Sequence, residues 1–416
     1  MAKTSLKTGG LGAAVFLGLT FRIFSETGMA GVSVGGNMRS GGDTTRQFDP
    51  QTVAALDSML RVRDTAKFNG CFMVAQKGVP VYCQCYGYTN YFTKTKIDTT
   101  SVFQLASVTK PITGIAVLQL FERGLIGIHD PVYWHIPEFP YKKITVYHLL
   151  THTAGLPDFI NDEWYFRRFL PNTTYMDNED LLKILIKYNI QPFFSAGYKY
   201  SYSNTGYAML ALLVERVTKT SFEEYLAKNI FDPAGMRYTF ATRNVADVKD
   251  SPAFVRPYKS LSGYAPGYYQ KLDGIIGDKG VYSNAHDLLR LDRALRRNLL
   301  LSKETQELAY QKGLTAKKDT FAYGLGWRQM PAADGSRVVY HQGLWNSYNP
   351  SFFRYLERDM TIIVVHNNVP DFKPLKMIRD AEAYVLRKNV PGSSDTAPTA
   401  AEETATSVNE SGGGEH

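Results

Sequence analysis

Strand-type sequence lies at the two ends of this chain, and helical pattern fills the long middle. Residues 68–90, FNGCFMVAQKGVPVYCQCYGYTN, read as a hairpin turning at Lys77-Gly78. GLGWRQM (324–330), RVVYHQG (337–343), PSFFRYL (350–356) and MTIIVVHNN (360–368) are short, aromatic or β-branched, and separated by turn residues. A helix is expected before the hairpin, from the Asp49-Pro50 start signal to near Arg63, with Val53, Leu56, Met59 and Leu60 on one face. Another is expected after the last strand, from Pro374 to Lys388. Between the strand-rich ends, Ser107 to Gly124, Asp180 to Tyr188, Gly206 to Thr218 and Ser221 to Asn229 carry helical pattern. No internal repeat is present. These patterns predict an α+β fold. An antiparallel sheet is flanked by the terminal helices, a mostly helical lobe is inserted, and a cleft lies between the two. The sheet lobe is expected over residues 48–105 and 275–388, and the helical lobe over 106–274.

The flanks read differently. Lys3 and Lys7 precede an apolar run from Gly9 to Phe21, and small residues end at Gly28-Met29-Ala30. That pattern predicts an export signal over residues 1–30, with a retained membrane anchor as the alternative, and an exported, periplasmic or membrane-associated protein. Residues 31–47 are Gly/Ser/Thr-rich and read as a linker. Residues 389–416 lack large apolar side chains and read as a disordered acidic tail, with Asp395, Glu402, Glu403, Glu410 and Glu415 and no Lys or Arg. The full chain still carries +8, so the body is basic. No Lys/Arg run with interleaved aromatics occurs, which argues against a nucleic-acid partner. Cys71, Cys83 and Cys85 form no C-x-x-C motif. A disulfide from Cys71 to Cys83 or Cys85 is open, and buried thiols are the preferred reading.

Three short motifs carry the chemistry: Ser107-Val108-Thr109-Lys110, Tyr202-Ser203-Asn204 and His341-Gln342-Gly343. Each alone is common by chance, and Tyr88-Thr89-Asn90 is a decoy for the second. On a helix, Ser107 and Lys110 share a face. A serine needs a base to act as a nucleophile. A buried lysine can lose its charge or depress a nearby phenol, which Tyr202 can supply. Asn204 can hydrogen-bond Lys110 and a substrate amide. Pro111 lacks an N–H and belongs in a first turn, so the helix begins near Ala106 or Ser107. The Ser107 N–H is then free to serve as an oxyanion donor, with a strand edge giving the second.

With these motifs in order, the chain resembles the serine β-lactamase and penicillin-recognising superfamily, particularly class C β-lactamases, D,D-carboxypeptidases and their esterase relatives. The resemblance extends over FQLASVTKPITGIAVLQLFERG (103–124), HLLTHTAGLP (148–157), YSYSNTGYAMLALLVERVTKTSFEEYL (200–226), IFDPAGM (230–236), KGVYSNAHDLLRL (279–291) and YGLGW (323–327). It implies that Ser107 is the acylated nucleophile, Lys110 its partner, Tyr202 the general base and Asn204 the substrate-orienting amide. It further implies that His341 and Gly343 line the substrate site, and that the N–H groups of Ser107 and Leu344 form the oxyanion hole. The expected activity is acyl-enzyme hydrolysis of an ester, amide or lactam in a small molecule or peptide, with no cofactor. A non-catalytic binding protein on the same fold is the alternative.

Many relatives have Lys where this chain has His341, and a Gly-containing turn where it has Trp345-Asn346-Ser347-Tyr348-Asn349-Pro350. Weaker carboxylate capture is therefore expected, which favours an esterase or peptidase over an efficient β-lactamase. His148 and His152 have the spacing of a zinc helix. They lack the Glu and a third ligand, so no metal is expected, and His152 reads as a structural hydrogen-bonder.

Overall fold

The computed structural model describes residues 50–62, 68–162, 166, 168–169, 175–249, 251–260, 265–266, 271–367 and 374–388. The expected signal, linker and acidic tail lie outside them. The principal elements are α1 (Pro50–Val62), β1 (Gly70–Gln76), β2 (Val79–Tyr86), α2 (Thr109–Glu122), α3 (Asn178–Lys187), α4 (Asn204–Thr218), α5 (Ala285–Arg296), β3 (Arg328–Pro331), β4 (Arg337–Gln342), β5 (Ser351–Tyr355), β6 (Met360–His366) and α6 (Pro374–Lys388).

The two strand-rich ends form one antiparallel sheet in the order β3–β4–β5–β6–β1–β2. The N-terminal hairpin docks through β1 onto the last strand, β6, with Phe72 opposite Val364 and Val74 opposite Ile362. Both faces of this sheet are covered, which is why its central strands read as continuous apolar runs. Phe72, Val74, Ile362 and Val364 pack against Leu56 of α1 and Ile378 and Val385 of α6. The alternate residues, Met73, Ile363 and Val365, face the larger core shared with α2 and α4. Each such fully buried side chain contributes about 2 kcal/mol.

Three sequence readings change in the structure. GLGW is not strand. Gly326 turns at φ +97° and the Gly324 N–H donates to Trp327 O, so the edge strand starts only at Arg328. The helix expected over Ser221–Asn229 holds its α form only from Phe222 to Leu226. It then widens over Ala227–Phe231 ahead of Pro233. Cys71 and Cys85 face each other across β1 and β2 and are joined in a disulfide, so the buried-thiol reading fails for these two. Cys83 remains a thiol, pushed up to about 11 by burial. Among the described residues no helix is long and apolar enough to cross a membrane.

Candidate active site

Ser107 rides on a single 3-10 turn, Ala106–Val108, that runs directly into α2. Pro111 therefore falls in the first turn of α2, where a missing N–H breaks no bond. Ala106 is held at φ +45°. That conformation costs a residue with a β-carbon about 1–3 kcal/mol, and the surrounding packing must supply it.

Lys110 lies one turn beyond Ser107 and is fully buried. Its Nζ is 3.0 Å from Ser107 Oγ, 2.7 Å from Asn204 Oδ1 and 3.1 Å from the backbone oxygen of Asp278. Burial pulls this amine down to about 8; Asp278 and Asp158 oppose the shift and Arg328 adds to it. The amide of Asn204 cannot turn around. Its Nδ2 donates to both carboxylate oxygens of Asp158, at 3.2 and 2.9 Å, and its backbone N–H donates to the same group at 2.9 Å. Asn204 Oδ1 must therefore face Lys110. Both ends of the Asn204 amide are thus engaged within the protein.

Tyr202 stands over this cluster, with Lys110 Nζ 4.8 Å from its ring centre and the Arg328 guanidinium at 5.4 Å. Burial pushes its phenol well above the usual range, against the opposing effects of a hydrogen bond with Ser107 and the charge of Arg328. At neutral pH Tyr202 is therefore a phenol, whereas Lys110 is drawn toward losing its proton.

His152 packs its ring 4.3 Å from that of Tyr202 and accepts the Ser203 N–H on Nδ1, the structural role expected of it. His148 closes a capping box with Thr145 instead of pairing with His152 at a metal. Among the described residues no group of His, Cys, Asp or Glu side chains is arranged to hold a metal ion.

His341 was expected at the substrate, and the structure places it underneath. It is fully buried on β4. Its Nδ1–H donates to Gln342 O at 2.7 Å, and Nε2 accepts from the Tyr323 hydroxyl at 3.1 Å. Burial and the nearby Lys110 hold it neutral, so it offers no charge to the cleft. Gly343 does lie against the nucleophile. A β-carbon there would sit 2.8 Å from Ser107 N and 2.7 Å from Leu105 O. Leu344 follows, exposed, and its N–H donates to no acceptor among the described residues.

Arg328 was not picked out from the sequence. It begins β3 beside Tyr340 of β4, is half-buried, and its guanidinium lies over the rings of Tyr202 and Tyr323. No carboxylate among the described residues pairs with it. Asp158 and Asp278 were also missed.

The Beta-lactamase family profile matches residues 57–386. The chain belongs to the β-lactamase family. Among curated relatives it is 32% identical over 334 residues to penicillin-binding protein 4* of Bacillus subtilis (strain 168), covering 77% of this chain and 72% of that protein. It is 24% identical over 323 residues to a putative penicillin-binding protein, PbpX, of the same organism, covering 77% and 76%. Among solved structures, a penicillin binding protein from Bacillus halodurans superposes with a TM-score of 0.67 at 24% identity, over 79% of this chain and 98% of that one. FmtA from Staphylococcus aureus gives 0.68 at 23%, over 82% and 88%. These two confirm the mixed fold of helices and antiparallel sheet. In this β-lactamase family member the three motifs meet in one cluster.

Proposed function

We propose that this chain is a serine hydrolase that forms an acyl-enzyme at Ser107 and favours acyl donors with a free carboxylate, such as the end of a peptide. The observation that carries the reading is the bonding of Lys110. An uncharged amine has two N–H bonds and one lone pair. The carbonyl oxygens of Asn204 and Asp278 take the two N–H bonds, and the lone pair is left for the hydroxyl of Ser107. Lys110 then removes the Ser107 proton as the oxygen attacks the carbonyl carbon. Tyr202 passes its phenol proton to the leaving group and regains one from the Lys110 ammonium; it then aligns the water that attacks the acyl-enzyme, whose proton Lys110 takes and returns to the departing Ser107 oxygen. The N–H groups of Ser107 and Leu344 hold the oxyanion. This assigns the base to Lys110 and the relay to Tyr202.

Arg328 supports the carboxylate preference, because it is an unpaired guanidinium a few ångströms above Tyr202 and replaces the charge that His341 does not supply. The reading includes export from the cytoplasm, supported by the Cys71–Cys85 disulfide, since such bonds persist in oxidising compartments. Incubation with a fluorophosphonate or a penicillin, followed by peptide mass mapping, tests the nucleophile. Parallel assays with a p-nitrophenyl ester, nitrocefin and a D-Ala-D-Ala peptide test the preference, and the peptide is expected to be the best of the three. Labelling of wild type no stronger than of Ser107→Ala would return the chain to a non-catalytic binding role.

A further inference from the structure

A second buried lysine borders the site. Lys279 Nζ donates to Ile275 O at 3.0 Å and lies 3.4 Å from Asp278 Oδ2. It sits between two aromatic rings, 4.9 Å from the centre of Phe159 and 5.0 Å from that of Trp345. Each ring adjoins a working part. Phe159 follows Asp158, which fixes Asn204. Trp345 follows Leu344, which offers its N–H beside Ser107. The turn holding Trp345 is itself anchored. Trp345 Nε1 donates to Asp273 Oδ1 at 2.5 Å, and Asn346 Nδ2 donates to the same carboxylate at 3.1 and 3.2 Å. Asn346 and Ser347 stay at φ +46° and +71° to keep that geometry.

Asp278 gives its backbone oxygen to Lys110 and one carboxylate oxygen to Lys279. Its other carboxylate oxygen is buried with no hydrogen-bond partner. Buried ion pairs are weak contributors to stability, and an incompletely bonded one is weaker still. Its place beside Lys110 gives the pair a use.

Building on the proposed roles of Ser107 and Lys110, we propose that Lys279 is a positioning residue. Its ammonium ties the segment that fixes Asn204 to the turn that carries the Leu344 N–H. It also engages the Asp278 carboxylate, which would otherwise hold a proton on Lys110. The groups facing Lys110 are Asp278, Asp158, Arg328 and Lys279, with the neutral rings of Tyr202, Tyr207, His152 and His341. Those facing Lys279 are Asp278, Asp273 and Lys110. Removing the Lys279 cation leaves Asp278 to Lys110 alone, and the protonated form of Lys110 gains.

The test is the titration of Lys110 in protein labelled with 13C at lysine Cε, assigned by the resonance that Lys110→Arg removes. It needs no substrate. Lys279→Met is expected to raise the Lys110 midpoint by about one pH unit, and Lys279→Arg to keep it. Asp278→Asn is expected to move it down, and it carries the test if Lys279→Met does not fold. Acylation of Ser107 at neutral pH should fall roughly tenfold in Lys279→Met and recover at higher pH. A midpoint unmoved by Lys279→Met or by Asp278→Asn overturns the proposal, even where thermal stability drops. The two readings fail separately. A moved midpoint with no acylation of wild type sinks the hydrolase reading alone. Acylation with an unmoved midpoint sinks the role of Lys279 alone.

Discussion

Two buried clusters of charge in this molecule are built on opposite plans. Around Asp292 of α5, the carboxylate accepts from Arg354 of β5 at 2.6 Å, from Arg296 at 2.9 Å and from Thr361 of β6 at 2.6 Å. Arg354 also donates to the Tyr310 hydroxyl. Burial alone would raise Asp292, yet the arginines and hydrogen bonds hold it below the usual carboxylate range, and Arg354 is held above its own. Asp292 and Arg354 are both kept in their charged forms. Around Lys110 the balance is reversed. Lys110 is pulled toward neutrality, Asp278 is pushed up, and one oxygen of Asp278 has no partner. The first cluster clips a helix to the sheet. The second keeps the Lys110 proton loosely held next to a hydroxyl. Burial of charge alone does not mark a reactive site; the direction in which burial and partners drive protonation does.

The contrast can be broken most directly at Ser107. Ser107→Ala should lower acyl transfer by about four orders of magnitude or more without lowering thermal stability, measured as burst amplitude and melting temperature on the same preparation. Asp292→Ala should do the converse. It strands Arg354 in the interior and should cost about 3–5 kcal/mol in denaturant unfolding, with acylation of the remaining folded protein intact. If Asp292→Ala left stability unchanged, the structural half of the comparison would be wrong. Arg328→Gln should reduce kcat/KM for a carboxylate-terminated peptide by roughly 10–100-fold and leave a neutral acetate ester nearly unaffected, as expected for loss of one charge-assisted bond.

The smallest effect is in the pH dependence of stability, and its sign differs between the clusters. Asp292 titrates lower when folded. Its stabilisation is complete above the unfolded carboxylate value and is lost as pH falls through the folded one. Lys110 also titrates lower when folded, about 8 against about 10.4 unfolded. Between those values the unfolded chain binds more protons, so this group makes folding more favourable as pH rises. Urea titrations on the Lys110→Met and Asp292→Asn backgrounds should lose the alkaline and acid components respectively. Acylation should climb as pH rises through about 8, and a profile flat across that range would count against Lys110 as the base.

Much of this is legible in the sequence. The sheet could be read because β-branched and aromatic runs at both chain ends had only each other to pair with. Ser107, Lys110, Tyr202 and Asn204 could be read because their order is rare even though each motif is common. Asp158, Asp278 and Arg328 escaped for one reason: each is an ordinary charged residue whose meaning comes from contacts far along the chain. Each directly adjoins a segment already singled out, 148–157, 279–291 and 323–327 respectively. Reading one residue past those segments was the available signal. The burial of His341 was not legible, because alternation along β4 does not show which face is covered. The disulfide was left open between Cys83 and Cys85 because register decides it, and the two share one face of β2.

The contact between Gly343 and the Ser107 turn has a mechanical consequence. Ser107 rides on the turn that leads into α2 and the Leu344 N–H lies just past the end of β4, and the two backbones meet with no room for a single methyl group. Prising these two segments apart would carry the Ser107 N–H away from that of Leu344. A bulky side chain grafted at position 343 is therefore expected to act as a wedge that drives the Ser107 turn away from Leu344 while leaving the Ser107, Lys110 and Tyr202 side chains themselves unaltered.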